Sequence, residues 1–433
     1  MITADGATII ALSSGAPPAA IGIIRISGSR AGTAIAGLCG SVPPPRRASL
    51  RTIRHPDSGD VLDSAVVLWF PGPHTSTGED LAEIHAHGGR AVISAILTAL
   101  ATTEGVRLAE PGEFTRRAFA NGVIDLAQAE GLADLLSAET EAQRRNAQIL
   151  AGGGLSRMVG EWQYRLLGLC ARIEAILEFG EDEDDVGDDL RLTADIAALA
   201  GDIADELARP AAERLKDGVR VVLAGPPNAG KSTLLNALVE REVAITSPIP
   251  GTTRDMIQAP VAISGMAFLF VDTAGLREAA GDEIERRGVD LAKSAIAEAD
   301  ILLWLGEPAS AAEHPRRILL HARCDAADRQ HVGPDVDLSV SAHTGVGMGE
   351  LIERLLQEAK LVLPAMDVMA LNRRQRAVLA ECKQSLLDAL ALVDPVLRAE
   401  ELRTCRVVLD RLTGRAGTEE MLDALFGKFC IGK

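Results

Sequence analysis

The feature that most constrains this chain is a phosphate-binding loop with the expected elements on either side of it. Residues 225–232 read Gly-Pro-Pro-Asn-Ala-Gly-Lys-Ser and fit the pattern G-x-x-x-x-G-K-[ST]. An apolar run at residues 219–224 predicts a buried strand before the loop, and residues 233–238 predict a helix after it. A strand, loop and helix in this order surround phosphates with backbone N–H groups, so the sequence predicts a nucleotide-binding α/β fold.

The residue types in this loop match the chemistry of a phosphate site. Lys231 would place a positive charge against the outer phosphates, and the hydroxyl of Ser232 would bind magnesium. Backbone N–H groups along the loop and at the start of the helix would hold other phosphate oxygens. We therefore expect six neighbouring residues to contact the nucleotide: Asn228, Ala229, Gly230, Lys231, Ser232 and Thr233.

Two further short motifs follow in the order that GTP-hydrolysing proteins use. Gly-Thr-Thr at residues 251–253 has the pattern of a switch segment, in which Thr253 would bind magnesium. Asp272 follows an apolar strand and would hold the water shell of the magnesium, while the N–H of Gly275 would bind the terminal phosphate. Taken alone, the first motif could be a turn and Asp272 a strand-end cap, but their order favours a GTPase. The second motif adds four nucleotide contacts: Asp272, Thr273, Ala274 and Gly275.

Guanine recognition is expected after the strand at residues 318–320, where GTPases carry Asn-Lys-x-Asp. This chain has Ala-Arg-Cys-Asp at residues 322–325, so half of the motif is missing and Asp325 is retained. A carboxylate can accept two hydrogen bonds from the guanine edge, which favours GTP over ATP. Ser341 and Ala342, after a further short strand, would form the second contact to the base.

The residue that orients the attacking water is not at its usual place. Leu276 stands where many GTPases have a glutamine, so another residue must take over that role. Glu285 is the candidate that we favour, although its position alone would also suit a solvated carboxylate at the start of a helix.

The chain divides into segments of different periodicity. Residues 1–121 show short strand-like runs broken by glycine and proline, which predicts a small α+β domain. Residues 122–216 and 364–433 repeat apolar residues at helical spacing and predict an all-helical domain, into which the α/β segment at residues 217–363 is inserted. An acidic run at residues 181–189 is expected to be a solvated loop rather than a metal site.

Composition limits the partners and the compartment. The formal net charge of −17 means that an RNA substrate would need a local basic patch or a basic partner protein. The six cysteines lack the spacing of a zinc site or a disulfide framework. No segment has the length and apolarity of a membrane span or the pattern of a secretion signal, which predicts a cytoplasmic protein without a membrane partner.

Five motifs give a closer resemblance. They are Gly-Ile-Ile-Arg-Ile-Ser-Gly at residues 22–28, Thr-Gly-Glu-Asp-Leu-Ala-Glu at 77–83 with His-Gly-Gly at 87–89, Pro-Gly-Glu-Phe-Thr-Arg-Arg-Ala-Phe at 111–119, the GTPase motifs with Asn228, and Phe-Cys-Ile-Gly-Lys at 429–433. With these motifs the chain resembles the MnmE (TrmE) family of tRNA-modification GTPases over nearly its full length.

This resemblance implies an architecture, partners and an activity. It implies an N-terminal folate-binding domain that also forms a homodimer, and a helical domain interrupted by an inserted Ras-like P-loop GTPase domain. It further implies an FAD-containing partner of the MnmG type, in a heterotetramer or larger complex that acts on tRNA. In the family, the pair builds an aminomethyl or carboxymethylaminomethyl group on C5 of the wobble uridine, with a one-carbon unit from 5,10-methylenetetrahydrofolate.

The resemblance also assigns roles to residues outside the GTPase segment. Arg25, Glu83 and Lys433 match positions that contact 5-formyltetrahydrofolate, whereas a lysine of the family falls on Val123 here. Chemically, Glu83 could pair with the guanidine-like edge of a pterin. Cys430 matches a cysteine that the modification requires, either as a nucleophile or as a proton donor. Without the resemblance, Arg25 and Glu83 would be an ordinary salt-bridge arginine and a strand-end glutamate.

Within the GTPase segment, the resemblance implies a potassium site. Asn228 would coordinate the ion, and Ser247, Ile249 and Thr252 of the switch segment would complete its cage. Potassium would then stand where other GTPases use an arginine finger. Ala322 departs from the family, because it lacks the amide with which an asparagine would bond the purine and tie the base loop to the phosphate loop.

Two other functions remain open from the sequence. The GTPase segment alone would equally suit a regulatory or ribosome-assembly GTPase without modification activity. The departures at Ala322 and Arg323 would suit a folate-binding structural subunit that no longer hydrolyses GTP. The folate motifs and Cys430 favour the modification enzyme.

Overall fold

The computed structural model divides the chain into two compact units. The first unit is Met1–Ala133 with Asp410–Lys433, and the second is Asp134–Leu409. The residues that the structure describes are 6–179, 185–241, 243–244, 257–273, 291–329, 332–333, 335–364, 368–414, 419–427, 429 and 431–432.

A six-stranded sheet forms the centre of the first unit. Its strands are β1 (Thr8–Leu12), β2 (Ile21–Ser27), β3 (Ser49–Arg54), β4 (Val61–Phe70), β5 (Leu81–His87) and β6 (Val106–Leu108). They pair in the order β3-β4-β5-β2-β1-β6, with β1 and β6 parallel and the other pairs antiparallel. The unit also contains the helices α1 (Ala31–Cys39), α2 (Arg90–Ala101) and α3 (Glu113–Ala120).

Buried and polar side chains alternate along the strands of this sheet, so one of its faces packs against helices. Ile24 and Ile26 on β2 are fully buried in a core that they share with residues of α1 and α2. Successive side chains of a strand point to opposite faces, so Arg25 lies on the other face. On β5, Ile84 is buried in the same core and Glu83 therefore lies on the face of Arg25. The two polar residues share the face opposite to α1 and α2.

Helices make up much of the remaining chain. The helix α4 (Leu126–Ser137) begins in the first unit, and α12 (Pro395–Thr413) ends there. Between them lie α5 (Glu141–Ala151), α6 (Gly154–Phe179), α7 (Asp185–Ala208), α8 (Glu213–Lys216), α9 (Lys231–Arg241), α10 (Met348–Val362) and α11 (Arg373–Ala391). Residues 291–297 are also helical, Pro308–Ser310 and Ala327–Arg329 form 3-10 turns, and α13 (Glu419–Phe426) belongs to the first unit.

A seven-stranded sheet lies in the second unit and contains the strand before the phosphate-binding motif. Its strands are β7 (Val219–Ala224), β8 (Val243–Ala244), β9 (Ile257–Ile263), β10 (Met266–Asp272), β11 (Ile301–Trp304), β12 (Arg317–Ala322) and β13 (Leu338–Val340). They pair in the order β13-β12-β11-β7-β10-β9-β8. The first five strands in this order are parallel, whereas β9 pairs antiparallel with both β10 and β8.

The central strand β7 is apolar on both faces. Val221 and Leu223 are fully buried in one cluster, whereas Val222 and Ala224 belong to a second. Helices on both faces of a parallel sheet require strands of this kind. The carboxyl ends of β7, β10 and β12 lie at one edge of the sheet, where ligands of such folds bind.

Part of the acidic run at residues 181–189 is helical, whereas the sequence predicted a loop. Residues 185–189 already belong to α7, so the solvated loop that we predicted for residues 181–189 is wrong for that part. Acidic residues are favourable in the first turn of a helix, because the helix dipole places partial positive charge there. Residues 180–184 lie outside the described part of the chain.

The predicted fold class is confirmed, since an α+β sheet domain, a parallel-sheet α/β segment and an array of helices are all present. The division into segments at residues 121, 216 and 363 stays a prediction. Among the helices of the described residues, none is long and apolar enough to cross a membrane.

Candidate functional site

The phosphate-binding loop has the predicted setting. It leaves the end of β7, and α9 begins at Lys231 inside the motif. Gly225 and Gly230 have φ angles of +148° and +92°, a region that side chains disfavour. A Cβ atom on Gly225 would also lie 3.2 Å from the carbonyl carbon of Leu305, so the loop needs glycine at this position for two reasons.

The lysine of the loop is held inside it. The Nζ atom of Lys231 donates to the carbonyl oxygens of Gly225, at 3.2 Å, and of Pro226, at 2.8 Å. The side chain is almost fully buried, so its charge acts at the loop rather than in bulk solvent. Lys231 therefore lies where the predicted phosphate contact requires a cation.

Two oxygen ligands suited to magnesium meet beside the loop. Asp272 ends β10 and is fully buried, and its Oδ2 atom accepts a hydrogen bond from the hydroxyl of Ser232. The register explains the meeting, because β10 pairs in parallel with β7 and places Asp272 next to Leu223. Thr273 is fixed by its hydroxyl, which donates to the Leu223 carbonyl at 2.9 Å. Carboxylate and hydroxyl oxygens are donors that magnesium accepts, so this pair fits the ion.

Two of the three predicted base-recognition residues, Asp325 and Ala342, line one cavity of about 220 Å³. Its wall includes Gly230, Thr233, Ala322, Asp325 and Ala342. A hydrogen bond from the hydroxyl of Ser341 holds the pKa of Asp325 below its usual range, with help from the charges of His343 and Arg323. Ser341 is fully buried, and its hydroxyl also accepts from the N–H of Thr344 at 3.1 Å. An ionised Asp325 is an acceptor only, as the N–H groups of guanine require.

Arg323 joins the base loop to the phosphate loop, a contact that the sequence did not reveal. Its Nη1 atom donates to the carbonyl of Asn228 at 3.4 Å. Its Cγ atom lies 3.3 Å from the position that a Cβ on Gly230 would occupy. Both Asn228 and Arg323 have a φ of +60°, a left-handed conformation that is uncommon for residues with side chains. The tie expected to be lost with Ala322 is thus made by the neighbouring residue.

The predicted folate residues Arg25 and Glu83 are paired with each other. They are directly opposite on β2 and β5, and Arg25 donates to Oε1 of Glu83 from Nη2 at 2.9 Å and from Nε at 3.2 Å. His85 Nε2 lies 3.1 Å from the other oxygen, Oε2. Partial burial raises the pKa of Glu83, but the hydrogen bonds to His85 and Arg25 hold it below its usual range.

This pair fits a folate. A carboxylate offers about four acceptor positions, so Glu83 can accept from a pterin edge in addition to Arg25 and His85. Phe114 lies under the Arg25 guanidinium, with its ring centroid 5.9 Å from Cζ, and adds an apolar surface beside the pair. Val123 is 40% exposed and brings no charge to the position where the family has a lysine.

The C-terminal tail lies against the N-terminal sheet. Ile431 forms a β-bridge with Pro111, and the hydroxyl of Ser13 donates to the carbonyl of Gly432 at 2.8 Å. Ser13 directly follows β1, and β1 pairs with β2 so that Ala11 lies opposite Arg25. The tail therefore contacts this unit beside β1, the strand that pairs with the Arg25-bearing strand β2.

A partly buried ionic cluster, which the sequence did not reveal, connects the motif segments of this unit. Arg117 donates from Nη2 to Glu113 at 3.0 Å and from Nη1 to Glu79 at 3.1 Å. Glu79 in turn accepts from the hydroxyl of Ser27 at 2.8 Å. The available signal was the spacing of Glu113 and Arg117, which lie four residues apart on one helix. The cluster fixes the relative positions of the segments that carry Arg25, Glu83 and the tail contact.

Several predicted site residues lie outside the described part of the chain. They are Ser247, Ile249, Thr252, Thr253, Ala274, Gly275, Glu285, Cys430 and Lys433. Their roles in the switch segment, the potassium cage, the water contact and the tail stay predictions. In the segments that are described, no group of three or more His, Cys, Asp or Glu side chains could hold a metal ion by itself.

Comparison with known proteins gives matches along nearly the whole chain. A family model described as "GTP-binding protein TrmE N-terminus" matches residues 8–123, and one described as "MnmE helical domain" matches residues 126–430. Curated relatives over nearly the full chain carry the name tRNA modification GTPase MnmE, among them the following three. The protein of Rhizorhabdus wittichii is 56% identical over 98% of this chain and 96% of its own length. The protein of Erythrobacter litoralis is 54% identical, and the match spans 98% of this chain and 100% of that protein. The protein of Novosphingobium aromaticivorans is also 54% identical, and the match spans 98% of this chain and 99% of that protein.

Proposed function

Because this chain belongs to the MnmE family of tRNA modification GTPases, we propose that it builds a substituent on C5 of the wobble uridine of certain tRNAs. The product is an aminomethyl or carboxymethylaminomethyl group, and the carbon comes from 5,10-methylenetetrahydrofolate. A flavoprotein of the MnmG type supplies the redox chemistry through its FAD. The chain acts as a homodimer within a heterotetramer or larger complex with that partner.

The observation that carries this proposal is the position of the tail. Gly432 and Ile431 contact Ser13 and Pro111, beside the strand that carries Arg25. A GTPase that only regulates or assembles ribosomes has no need of a carboxylate–guanidinium pair next to its own C-terminus. The arrangement suits a reaction in which the tail and a bound folate act together.

In the GTPase site, the residues of this chain would bind the nucleotide, select guanine and orient the attacking water. Lys231 and the loop N–H groups would hold the phosphates, and Asp325 with Ser341 would select guanine. Ser232 and Asp272 would hold magnesium, which supplies positive charge to the phosphates when bound. We propose that Glu285 orients the attacking water and that Asn228 helps to hold potassium, which offsets charge in the transition state.

In the folate site, Glu83 would stay ionised and accept hydrogen bonds from the pterin edge. Arg25 would hold Glu83 in place and present its remaining donors to polar groups of the ligand. Lys433 would contact the same ligand. Cys430 would act on the one-carbon unit or its uridine acceptor, either as a nucleophile or as a proton donor.

The test is mass spectrometry of tRNA nucleosides from a strain that lacks the gene. We expect loss of the C5-substituted wobble uridine and its restoration by this chain. The matched variant Lys231→Ala should fail to restore it, because the phosphate contact is lost. If the deletion strain keeps its full content of the modified nucleoside while ribosomal subunits accumulate unassembled, the ribosome-assembly alternative is correct instead.

A further inference from the structure

We propose that Ser13 and Gly432 form a latch that positions the C-terminal tail for the modification reaction. The proposal rests on the proposed function, because it assumes that Cys430 takes part in the reaction. Ser13 and Gly432 would act as positioning residues, since they hold the backbone of the tail and need not touch substrate.

The first half of the latch is fixed to the sheet. The N–H of Ser13 donates to the carbonyl of Ile23 at 2.7 Å, so Ser13 continues the pairing of β1 with β2. This contact leaves the Ser13 hydroxyl as the group that reaches Gly432. Because Ser13 is held by strand pairing, its hydroxyl has little freedom to move with the tail. Its hydrogen bond to the Gly432 carbonyl, 2.8 Å long, therefore restrains the tail.

The second half of the latch accepts no side chain. Gly432 is buried and has a φ of +97°. A Cβ atom built there would lie 2.3 Å from the carbonyl oxygen of Leu12 and 2.9 Å from its carbonyl carbon. Both atoms belong to the backbone of a sheet strand, which cannot move aside as a flexible side chain could. Glycine at position 432 therefore lets two backbone segments touch, which explains why the terminal motif contains it.

The latch has further support on the other side of Cys430. Phe429 is 5% exposed and belongs to an apolar cluster with Phe426 and Leu126. Ile431 keeps 58% of its surface exposed, so the bridge to Pro111 holds its backbone and not its side chain. The described residues on either side of position 430 are thus both held, Phe429 by its buried side chain and Ile431 by its backbone.

The strand register shows how close the latch lies to the Arg25–Glu83 pair. Leu12 lies opposite Ile24 and Ala11 lies opposite Arg25. Neighbouring strands are about 4.8 Å apart, so a tail fixed at Leu12 and Ser13 stays within a few residue lengths of Arg25. The latch therefore keeps Gly432 beside the two paired strands, one of which carries the proposed folate contact Arg25.

The chain offers a matched control for the test. Ser14 is the next residue, and its hydroxyl accepts from the N–H of Ile23 at 3.1 Å. Among the described residues, no hydrogen bond joins the Ser14 side chain to the tail. Ser13→Ala and Ser14→Ala thus remove the same atom from neighbouring positions, and only Ser13→Ala removes the latch.

We would measure four quantities on the full chain. They are the alkylation rate of Cys430 by peptide mapping, release of C-terminal residues by a carboxypeptidase, GTP hydrolysis, and wobble-uridine modification in the complemented deletion strain. Ser13→Ala should raise the first two roughly fivefold, as expected for one lost hydrogen bond, and lower the initial modification rate by a similar factor. GTP hydrolysis should be unchanged. Ser13→Thr should restore wild-type behaviour, and Gly432→Ala should have a larger effect than Ser13→Ala.

Two results would overturn the proposal. One is equal alkylation and release for Ser13→Ala and Ser14→Ala, since the latch would then restrain nothing. The other is a loosened tail with an unchanged modification rate, since the latch would then position nothing that the reaction needs. Failure of the proposed function is distinguishable from both, because the wild-type chain itself would then not restore the modified nucleoside.

Discussion

The substitution Ala322→Asn tests how this chain recognises guanine without the usual motif. Ala322 ends β12, is 3% exposed, and lines the cavity of about 220 Å³ that also includes Asp325 and Thr233. An asparagine at this position can extend into the cavity and donate its amide to N7 of the purine. We expect the substitution to tighten GDP and GTP binding.

The structure sets the size of the gain. An asparagine would offer two contacts, one to the purine and one to the phosphate loop. Arg323 already makes the second contact through the carbonyl of Asn228, so only the first is new. One hydrogen bond contributes about 0.5–1.5 kcal/mol, which corresponds to roughly a 2- to 13-fold lower Kd. In an Arg323→Ala background both contacts are new, and the gain should reach roughly 5- to 150-fold.

The assay is a double-mutant cycle of nucleotide binding by titration calorimetry, at fixed magnesium and potassium. GDP and ADP are compared for the wild type, both single variants and the double variant. Ala327→Asn, on the exposed turn that follows the base loop, is the matched control and should leave Kd unchanged. The contact between Arg323 and the Asn228 carbonyl would be refuted as a substitute for the asparagine contact if Ala322→Asn tightened binding equally with and without Arg323. Weaker nucleotide binding by Ala322→Asn would show that the cavity does not admit the larger side chain.

Four further outcomes follow from the sites. Asp325→Asn should shift preference from guanine towards xanthine nucleotides, measured as the ratio of the GTP and XTP dissociation constants, and an unchanged ratio would mean that Asp325 does not contact the base. Hydrolysis should be faster in potassium than in sodium and should lose this difference in Asn228→Ala, so equal turnover in the two salts would contradict the potassium site. Glu285→Ala should bind nucleotide normally but hydrolyse GTP about two to four orders of magnitude more slowly, and normal turnover would assign the water to another residue. Cys430→Ser should abolish wobble-uridine modification and leave GTP hydrolysis intact, whereas loss of both would indicate a structural thiol.

Local sequence patterns predicted the parts of the structure that local interactions determine. The phosphate loop was predictable because its glycines, Lys231 and Ser232 lie within eight residues between a strand and a helix. The position of Asp272 beside Ser232 also followed, since parallel strands bring their carboxyl ends to one edge. The acidic run was mispredicted for residues 185–189, because charge indicates solvent exposure and does not distinguish a loop from a helix start.

Contacts between distant segments could not be predicted in this way. Nothing near Arg323 in the sequence indicates that its guanidinium reaches Asn228, because that contact depends on the order of β12, β11 and β7 in the sheet. The contact between Ser13 and Gly432 could not be predicted either, because in the sequence Ser13 is an ordinary polar residue after a strand. The resemblance named the folate residues, but only the register of β2 and β5 pairs Arg25 with Glu83.

The contact of Ser13 with Gly432 joins positions 419 residues apart, nearly the full length of the chain, and this has a consequence for synthesis on the ribosome. Domains fold as they emerge, and Gly432 lies 324 residues after the end of β6 at Leu108. At about 5–20 residues per second, the first sheet would wait about 16–65 s for Gly432 to be translated. A product cut short by a nonsense codon or a stalled ribosome can contain both complete sheets and still lack the tail. Such a fragment would keep the guanine-nucleotide site and lack the contact between Ser13 and Gly432, so under the proposed function it would not perform the modification.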